Sequence, residues 1–351
     1  MKKEVYMAVS GGVDSSLAAY LLKEQGFKVN LIFGLFLDPE QEPFVLQQIE
    51  RVKKLSAKIK APFQIIDKRA EFKKEVVNYF LKTYSKGQTP NPCVICNEKI
   101  KFNMLLEKAG SNCYLATGHY ARIKKIGKNY FIFRGKDSLK DQSYFLWRLP
   151  SRILSRLIFP LGCFLKKQVK RIAQEQGLVQ EKISESKDIC FATNIPQFLL
   201  KNLSYLAKKG EILDELGRVI GEHQGIIFYT IGQRYGLKID KTKMNQPENL
   251  PPLYVKRIIP LKNQLIVAKR AKLMEKNIKI SQTNFFTKVP FIFKALVQIR
   301  YGHKAKTAKI YFKKRQTQVI FDKPVFAPTP GQSAVIYQKS QLLGGGVISS
   351  I

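Results

Sequence analysis

The chain has 351 residues, of which 45% are hydrophobic and 25% are charged, a balance that is typical of globular proteins and excludes a disordered chain. Its 61 Lys and Arg residues outnumber 26 Asp and Glu residues, and the net charge of +35 favours a polyanionic partner such as nucleic acid. A lysine-rich proteome would raise the charge in the same way, but 14 basic against 2 acidic residues from Ala271 onward indicate a basic surface on one module.

Targeting segments are not evident in the sequence. No apolar stretch approaches the length of a membrane span, and the N-terminal sequence MKKEVYMAVSGG reaches glycine too early for the core of a signal peptide. We therefore expect a cytoplasmic protein with no membrane partner. Its five cysteines are then expected to be reduced thiols that are available for chemistry, not a disulfide framework.

The first part of the chain alternates strand-like and helix-like segments. Apolar periodicity predicts strands at 5–9, 28–37, 63–67 and 113–123, and helices at 15–25, 44–59, 72–84, 102–110 and 165–178. This alternation predicts an α/β fold with a doubly wound, mostly parallel sheet. The ligand of such a sheet lies beyond the carboxyl ends of its strands.

The pattern changes after a predicted helix at 195–210. Two hairpin-like stretches follow at 211–223 and 253–269, and the remainder is almost entirely short strands separated by polar turns. We expect a small β-rich central domain followed by a C-terminal antiparallel barrel or sandwich. The predicted domains are residues 1–200, 201–270 and 271–351.

The first motif is SGGVDSS, residues 10–16, between the first strand and the first helix. Two glycines before a helix start place free backbone N–H groups and the positive end of the helix at one spot, which suits an anion. The loop lacks the lysine of the G-x-x-x-x-G-K-[ST] nucleotide loop, so ordinary γ-phosphate transfer is not indicated. A tight turn with a serine cap explains the same residues.

Cysteines supply the second set of candidates. Cys93 and Cys96 form a C-x-x-C ahead of a helix, where Lys99 and Lys101 are expected to lower the thiol pKa. A zinc site would need a second such pair, and a redox pair lacks its usual context. Cys190 is either reactive or a small core residue. The remaining two are expected to be ordinary buried thiols, Cys113 and Cys163.

The string S-G-G-x-D-S resembles the signature of the PP-loop ATP pyrophosphatase family. The resemblance implies cleavage of ATP between the α and β phosphates, with pyrophosphate in this loop and an adenylated substrate as intermediate. It also accounts for the absent lysine. Asp14 is then expected to act through Mg²⁺ bound with ATP, without a metal site formed by the protein alone.

Eight segments extend this resemblance over essentially the whole chain. SGGVDSS, TPNPCVICNEKIKF, ATGHYARI, KDQSYFLW, ESKDICF, GEHQGIIFYTIGQRYGL, IRY and TPGQSAVIY occur in the order found in the bacterial tRNA-uridine 2-sulfurtransferase family. That resemblance implies thiolation of the wobble uridine in tRNAs for Lys, Glu and Gln. ATP adenylates the uracil C2 oxygen, and AMP leaves when sulfur attacks.

The resemblance also implies roles for individual residues. Cys190 carries a persulfide received from a cysteine desulfurase or a sulfur-relay protein, and Cys96 completes sulfur release with a Cys96–Cys190 disulfide as by-product. ATP would be bound by Ala8, Val9, Ser10, Gly11, Gly12, Val13, Asp14, Ser15, Gly34 and Gly118. The tRNA would be bound by Asn91, Pro92 and Cys93 at the target base, and by His119, Lys140, Asp141, Gln142, Arg300, Tyr301 and Gln332.

Plainer interpretations of these RNA contacts stay open. His119 could be a satisfied histidine at the end of a strand, residues 140–142 a helix cap, and the TPGQ segment a turn. Arg300 and Tyr301 have the clearest physical basis, since guanidinium binds phosphate and tyrosine stacks on an unpaired base.

One residue departs from the family pattern, because many members carry Asp where this chain has Cys93. Three thiolates, from Cys93, Cys96 and Cys190, could instead hold a [4Fe–4S] cluster with one open iron. We favour the persulfide route, since C-x-x-C versions are common in the family. The rival functions are another PP-loop enzyme, either an amide-forming ligase or a different tRNA thiolase, and a non-enzymatic RNA-binding protein. The thiols disfavour the ligase, and the intact Asp14 and Ser15 disfavour the non-enzyme.

Overall fold

A computed structural model describes residues 3–178, 189–192, 194–240, 242, 251–313 and 316–350. Most of the SESKDICF segment lies outside these residues, but Ile189, Cys190 and Phe191 are described. Within the described ranges, no helix combines the length and the apolar character that crossing a membrane requires.

A five-stranded parallel sheet forms the centre of the first domain. Its strands are β1 (Glu4–Ala8), β2 (Lys28–Leu35), β3 (Phe63–Asp67), β4 (Tyr114–Thr117) and β7 (Leu157–Ile158). They are arranged in the order β3-β2-β1-β4-β7, and each neighbouring pair is parallel. The parallel α/β sheet expected from the alternating pattern is therefore confirmed. Its carboxyl edge collects the loops that follow β1, β2, β4 and β7.

Helices cover both faces of this sheet. On one face, α1 (Val13–Glu24), α2 (Phe44–Ile59) and α7 (Lys166–Glu175) share an apolar core with strands β1 and β2. The helix α2 forms where it was predicted because five apolar residues recur every three or four positions and are buried, namely Val45, Ile49, Val52, Leu55 and Ile59. On the other face, Ile32 and Leu115 pack against α6 (Phe102–Lys108).

Two helical segments of the first domain contain π-helical turns. Residues 69–84 comprise α3 (Arg69–Phe72), a π segment (Lys73–Val77) and α4 (Asn78–Tyr84). Residues 92–108 comprise α5 (Pro92–Ile95), a π segment (Cys96–Lys101) and α6. The predicted helices at 72–84 and 102–110 are thus parts of longer helices. π turns inside helices are uncommon and concentrate at functional sites. The π segment that begins at Cys96 therefore agrees with a functional role for this cysteine.

One predicted strand, at 113–123, is wrong as a single element. β4 ends at Thr117, and β5 (Ala121–Ile126) pairs instead with β6 (Asn129–Arg134). The break occurs because the backbone of Tyr120 bonds Gln142 in both directions, accepting from its N–H at 2.9 Å and donating to its Oε1 at 3.1 Å. A run of strand-forming residues therefore divides between two sheets.

The central domain follows α8 (Ile195–Asn202) and contains the two predicted hairpins. These are β8 (Gly210–Leu213) with β9 (Val219–His223), and β10 (Leu253–Ile259) with β11 (Gln264–Lys269). A parallel pairing of β11 with β8 joins them into one sheet with the order β10-β11-β8-β9.

The C-terminal strands close into a six-stranded antiparallel barrel, confirming the barrel prediction. They are β12 (Met274–Phe285), β13 (Ile292–Gln298), β14 (Lys306–Tyr311), β15 (Thr317–Phe326), β16 (Ser333–Gln338) and β17 (Gln341–Ser350). Pairing of β12 with β17 completes the circle. The β5–β6 hairpin of the first domain extends this sheet, with Phe133 opposite Gln341.

One apolar core runs from the first domain into the barrel. Trp147 is completely buried and lies in the same cluster as Leu115, Val335 and Tyr337. A Cβ at Gly345 would lie 2.9 Å from the Trp147 ring, so this glycine lets the ring lie flat against β17. The barrel is thereby fixed to the domain that carries the cysteines.

Candidate active site

The loop between β1 and α1 forms a compact turn stabilised by its own serines. The backbone N–H of Ser10 donates to Ser15 Oγ at 3.1 Å, and Ser15 Oγ donates to the Gly12 carbonyl at 3.1 Å. Gly11 has a φ of +69°, and a Cβ there would lie 2.6 Å from the Gln48 carbonyl oxygen, so only glycine fits. Gly12 caps α1 without a side-chain bond, which leaves first-turn N–H groups free of a side-chain cap.

Lys166 approaches this loop from outside it. Its Nζ lies 2.6 Å and 2.7 Å from the two carboxylate oxygens of Asp14. Tyr120 donates its hydroxyl to Asp14 Oδ1 at 2.8 Å. Neither partner of Asp14 is among the site residues predicted from the sequence. Lys166 could have been found, because it begins the helix after the last parallel strand and therefore lies at the carboxyl edge.

The other residues predicted to bind ATP gather at the same edge. Ala8 ends β1, Gly34 lies near the end of β2, and Gly118 directly follows β4. A Cβ at Gly118 would lie 3.1 Å from the backbone nitrogen of Ser15, so β4 and the start of α1 approach closely there. A Cβ at Gly34 would overlap the Phe36 ring. The structure brings these residues together, and their contact with a nucleotide stays a prediction.

Three cysteines form a second cluster, termed here the thiol site: Cys93, Cys96 and Cys190. The charged forms of Cys96 and Cys93 each raise the pKa of the Cys190 thiol, so the three sulfurs share one neighbourhood. Phe191, beside Cys190, packs its ring on Phe72 and Phe80 in the apolar cluster that also contains Cys96. In the described ranges, no group of three His, Cys, Asp or Glu residues is arranged to hold a metal ion.

The expectation of a lowered thiol pKa in the C-x-x-C segment is wrong for Cys96. Burial raises the pKa of its thiol, and Lys101 offsets this only in part. The side chain lies in the π segment, a full turn past the helix start at Pro92, where the helix dipole has little effect. Cys190 has exposed surface, yet the surrounding protein removes water from its sulfur and, with the two other thiols, raises its pKa to about 12.

The barrel holds the loop that precedes Cys93. Thr89 donates its N–H to the Pro330 carbonyl at 3.0 Å, and Gln332 donates its side-chain amide to the Pro90 carbonyl at 3.1 Å. Asn91 is buried and donates to Ser333 Oγ at 3.4 Å. The TPGQ segment therefore does more than turn the chain, since it positions the cysteine loop.

His119 lies in a buried aromatic setting. Its Nδ1 is 2.7 Å from Thr117 Oγ1, and its ring stacks near Phe102 with Phe159 at the edge. Burial and the charge of Lys101 hold its pKa well below the usual range for histidine, so the ring is neutral at physiological pH. This is the plainer role that the sequence left open, and contact with RNA stays a prediction.

Asp141 also has an internal role. Its carboxylate accepts from Arg134 Nη1 at 2.8 Å, from the N–H of Gly135 at 2.9 Å and from both the N–H and the hydroxyl of Ser143 at 3.1 and 3.0 Å. The side chain is only 4% exposed. Gln142 is bonded to the backbone of Tyr120, so residues 141–142 tie the tyrosine near Asp14 to the barrel side of the molecule.

Arg300 and Tyr301 follow β13 at the barrel end that faces the cysteines. Arg300 Nη2 donates to Thr329 Oγ1 at 2.9 Å and to the Ile231 carbonyl at 3.4 Å, linking the barrel to the central domain. The Tyr301 ring is 4.6 Å from that of Phe145. Burial raises the pKa of Tyr301, and the charge of Cys93 acts in the same direction, so the phenol lies near the thiol site.

Two cysteines differ from the expectation that they are buried. Cys163 is exposed and Cys113 is half-buried. Cys113 lies 3.7 Å from the Glu4 carboxylate, and burial together with that charge raises its pKa. The expectation fails for Cys163 because its apolar sequence neighbours are directed inward while its own side chain is directed outward. The local sequence does not show which of these side chains is exposed.

Family models match three consecutive stretches of the chain. They describe a tRNA methyl transferase HUP domain at residues 3–194, a tRNA methyl transferase PRC-barrel domain at 197–269 and an aminomethyltransferase beta-barrel domain at 275–348. Together they extend over nearly the full length.

Similar proteins match over their whole length. The tRNA-specific 2-thiouridylase MnmA of Carboxydothermus hydrogenoformans is 38% identical over 365 residues, covering 99% of this chain and 98% of that protein. That of Syntrophomonas wolfei is 38% identical over 354 residues, covering 98% and 99%. Among solved structures, the U34-tRNA thiolase NcsA of Methanococcus maripaludis with its [4Fe-4S] cluster has a TM-score of 0.35 at 21% identity, over 57% of this chain and 67% of that one.

Proposed function

Since this chain belongs to the tRNA-specific 2-thiouridylase family and is therefore a tRNA sulfurtransferase, we propose that it replaces the C2 oxygen of the wobble uridine of tRNA by sulfur. The observation that carries the proposal is the presence of both required parts in the first domain. One part is an anion-binding loop at the sheet edge, and the other is a set of three interacting thiols.

The loop at residues 10–16 fits the phosphates of ATP. Its first-turn N–H groups have no side-chain cap, and Gly118 carries no Cβ where β4 approaches the start of α1. ATP supplies the adenylate that turns the uracil C2 oxygen into a leaving group. Asp14 and Lys166 form an ion pair at that loop, and Asp14 is the candidate ligand of Mg²⁺ bound with ATP.

The thiol site fits a persulfide route. In this proposal Cys190 receives a sulfane sulfur from a cysteine desulfurase or a sulfur-relay protein, and that sulfur forms a bond to C2 while the bond from C2 to the adenylate oxygen breaks. Cys96 then loses its proton and attacks the Cys190 sulfur. The Cys96–Cys190 disulfide forms, the 2-thiouridine leaves with the electron pair of the broken S–S bond, and a dithiol reductant later regenerates both thiols.

The raised thiol pKa values add a requirement to both steps. Both Cys96 and Cys190 are protonated at neutral pH, so Cys190 must lose its proton to take sulfur from the donor, and Cys96 must lose its proton to attack Cys190. Burial of Cys96 also keeps it from solvent oxidants. The route through a [4Fe–4S] cluster on Cys93, Cys96 and Cys190 is the competing proposal.

The tRNA-contacting surface is proposed to run along the thiol-site end of the barrel. Exposed Lys residues between β13 and β14 and at the start of β14, Lys304 and Lys306, contribute to a basic face, and Tyr301 near Cys93 offers a ring for stacking. The partners are tRNAs with Lys, Glu and Gln anticodons. Binding to such a surface weakens steeply as salt rises, and an affinity that does not change with salt would contradict it.

A single assay tests the function. The purified protein is incubated with tRNA, ATP and a competent persulfide donor, and thiolated tRNA is detected by its retardation in a mercury-containing gel. We expect a retarded band that requires ATP and disappears in Asp14→Ala. Absence of a band with the wild-type protein and competent substrates contradicts the proposal. An iron-loaded preparation that loses the band on iron removal supports the cluster route instead.

A further inference from the structure

The contacts of Lys166 are unusual for a residue outside the nucleotide loop. Its ammonium bonds both oxygens of Asp14, the acidic residue of that loop, and its side chain is 15% exposed. The same ammonium lies 5.8 Å from the centroid of the Tyr120 ring, whose hydroxyl bonds the same carboxylate. The cation is therefore held at the start of α1.

The position of Lys166 is fixed by its backbone. Its N–H donates to Asp137 Oδ2 at 2.8 Å, and the helix α7 that it begins packs against α1. A lysine anchored in this way presents its flexible stem toward the loop without the loop having to move. The loop itself supplies N–H groups but no basic side chain.

We propose that Lys166 supplies the phosphate-binding cation that residues 10–16 lack, by exchanging the Asp14 carboxylate for a β- or γ-phosphate oxygen when ATP binds. This proposal rests on the proposed function only for the identity of ATP as the ligand. The exchange keeps the ammonium paired in both states, so no uncompensated charge is left partly buried. It also frees Asp14, whose carboxylate would otherwise repel the phosphates, to bind Mg²⁺.

The first test substitutes Lys166→Met, which retains the stem over Tyr120 and removes the charge. Calorimetry without tRNA measures binding of Mg-pyrophosphate, Mg-ATP and AMP. We expect pyrophosphate and ATP to bind about 10- to 100-fold more weakly, as for loss of a charged hydrogen bond. AMP, which has no β or γ phosphate, should bind within about twofold. The matched control is Lys167→Met, an exposed neighbour on the same helix.

Two outcomes overturn the proposal. One is pyrophosphate binding by Lys166→Met that matches the wild type. The other is an equal loss for pyrophosphate and AMP, since that indicates a lysine that only supports the fold.

A second variant is expected to change the affinity for pyrophosphate in the opposite direction. It tests the proposal even if Lys166→Met does not fold. In Asp14→Asn the ammonium has no carboxylate to leave, so metal-free pyrophosphate in EDTA should bind more tightly than to the wild type, by roughly tenfold. Unchanged or weaker binding overturns the exchange. Neither measurement uses tRNA or sulfur, so failure of thiolation by the wild type would be a separate result.

Discussion

The nucleotide loop and the thiol site differ in how much of each lies in one stretch of chain. Ser10, Gly12 and Ser15 bond one another within six residues, and distant segments add the Lys166 ammonium, the Tyr120 hydroxyl and the close approach of Gly118. The thiol site instead needs the loop at 89–96, the short described stretch around Cys190 and the barrel residues that hold Pro90 and Asn91. A local motif can form an anion site, whereas a reaction between two sulfurs requires the tertiary fold.

The largest expected effect is the loss of thiolation when the thiol site is changed and the nucleotide loop is left intact. Cys190→Ser and Cys96→Ser should each reduce thiolation to background, because serine can neither carry a persulfide nor resolve one. Both should bind ATP as the wild type does, since in the part of the chain that the structure describes the side chains of Asp14 and Ser15 bond to Lys166, Tyr120 and the loop itself. A mercury gel and calorimetry measure the two properties.

The exposed Cys163 provides the control for these variants. Cys163→Ala should keep both activities. Thiolation that survives in Cys190→Ser would contradict the assignment of the sulfur carrier.

A second prediction concerns the protonation of the thiol site. Because the pKa of Cys190 is raised to about 12, its alkylation rate should climb about tenfold per pH unit from pH 7 to pH 10, about a thousandfold in all. The same thiol in the urea-unfolded chain should level off near its ordinary pKa of about 8.5. Iodoacetamide labelling followed by mass spectrometry of the Cys190 peptide measures both rates.

The linked effect on stability has a definite sign. Above the unfolded pKa, the unfolded chain releases the thiol proton while the folded chain retains it, so the raised pKa costs stability as pH rises toward the folded value. A labelling rate for the folded protein that reaches a plateau by pH 9 would show that the thiol is not protected from ionisation.

A third prediction concerns Asp141. It distinguishes a role in stabilising the fold from direct contact with RNA. Asp141→Ala leaves four hydrogen-bond donors without this acceptor, and the two donors on Ser143 are buried, so the free energy of unfolding should fall by about 3–5 kcal/mol. Urea denaturation measures this loss. Lys136→Ala, at an exposed position nearby, should change stability by less than about 0.5 kcal/mol. Unchanged stability with lost tRNA binding would instead favour direct RNA contact by Asp141.

The smallest expected effect is at the nucleotide loop. In Gly118→Ala the new methyl group would lie 3.1 Å from the Ser15 nitrogen and 3.2 Å from the Asp14 carbonyl carbon. These are backbone atoms at the helix start, so ATP affinity should fall by about tenfold. Gly110→Ala is the control, because its Cβ would meet only the Cys113 sulfur at 3.8 Å. Equal ATP binding by both variants would mean that the loop tolerates a wider approach of β4.

Much of the fold follows from local periodicity. Helix α2 and strand β3 have the predicted bounds, because the first has a single apolar face and the second a short strand-forming run between turn residues. The prediction of one strand at 113–123 is wrong. Periodicity does not show that the backbone N–H and carbonyl of Tyr120 form hydrogen bonds with Gln142 instead of with a neighbouring strand. The raised pKa of Cys96 was missed for a similar reason, because burial depends on residues far away in the chain.

The sequence by itself determined the order of domain types, the glycine-containing turn at residues 10–16 and the identity of the candidate cysteines. Each of these depends on residues that are neighbours in the chain, for which turn geometry and spacing suffice. Only the tertiary structure decided that Lys166 faces Asp14, that Asp141 and His119 are buried, and that β16 and its preceding turn hold the loop of Cys93. Such pairings are set by the packing of distant segments, and burial then fixes which groups keep their protons.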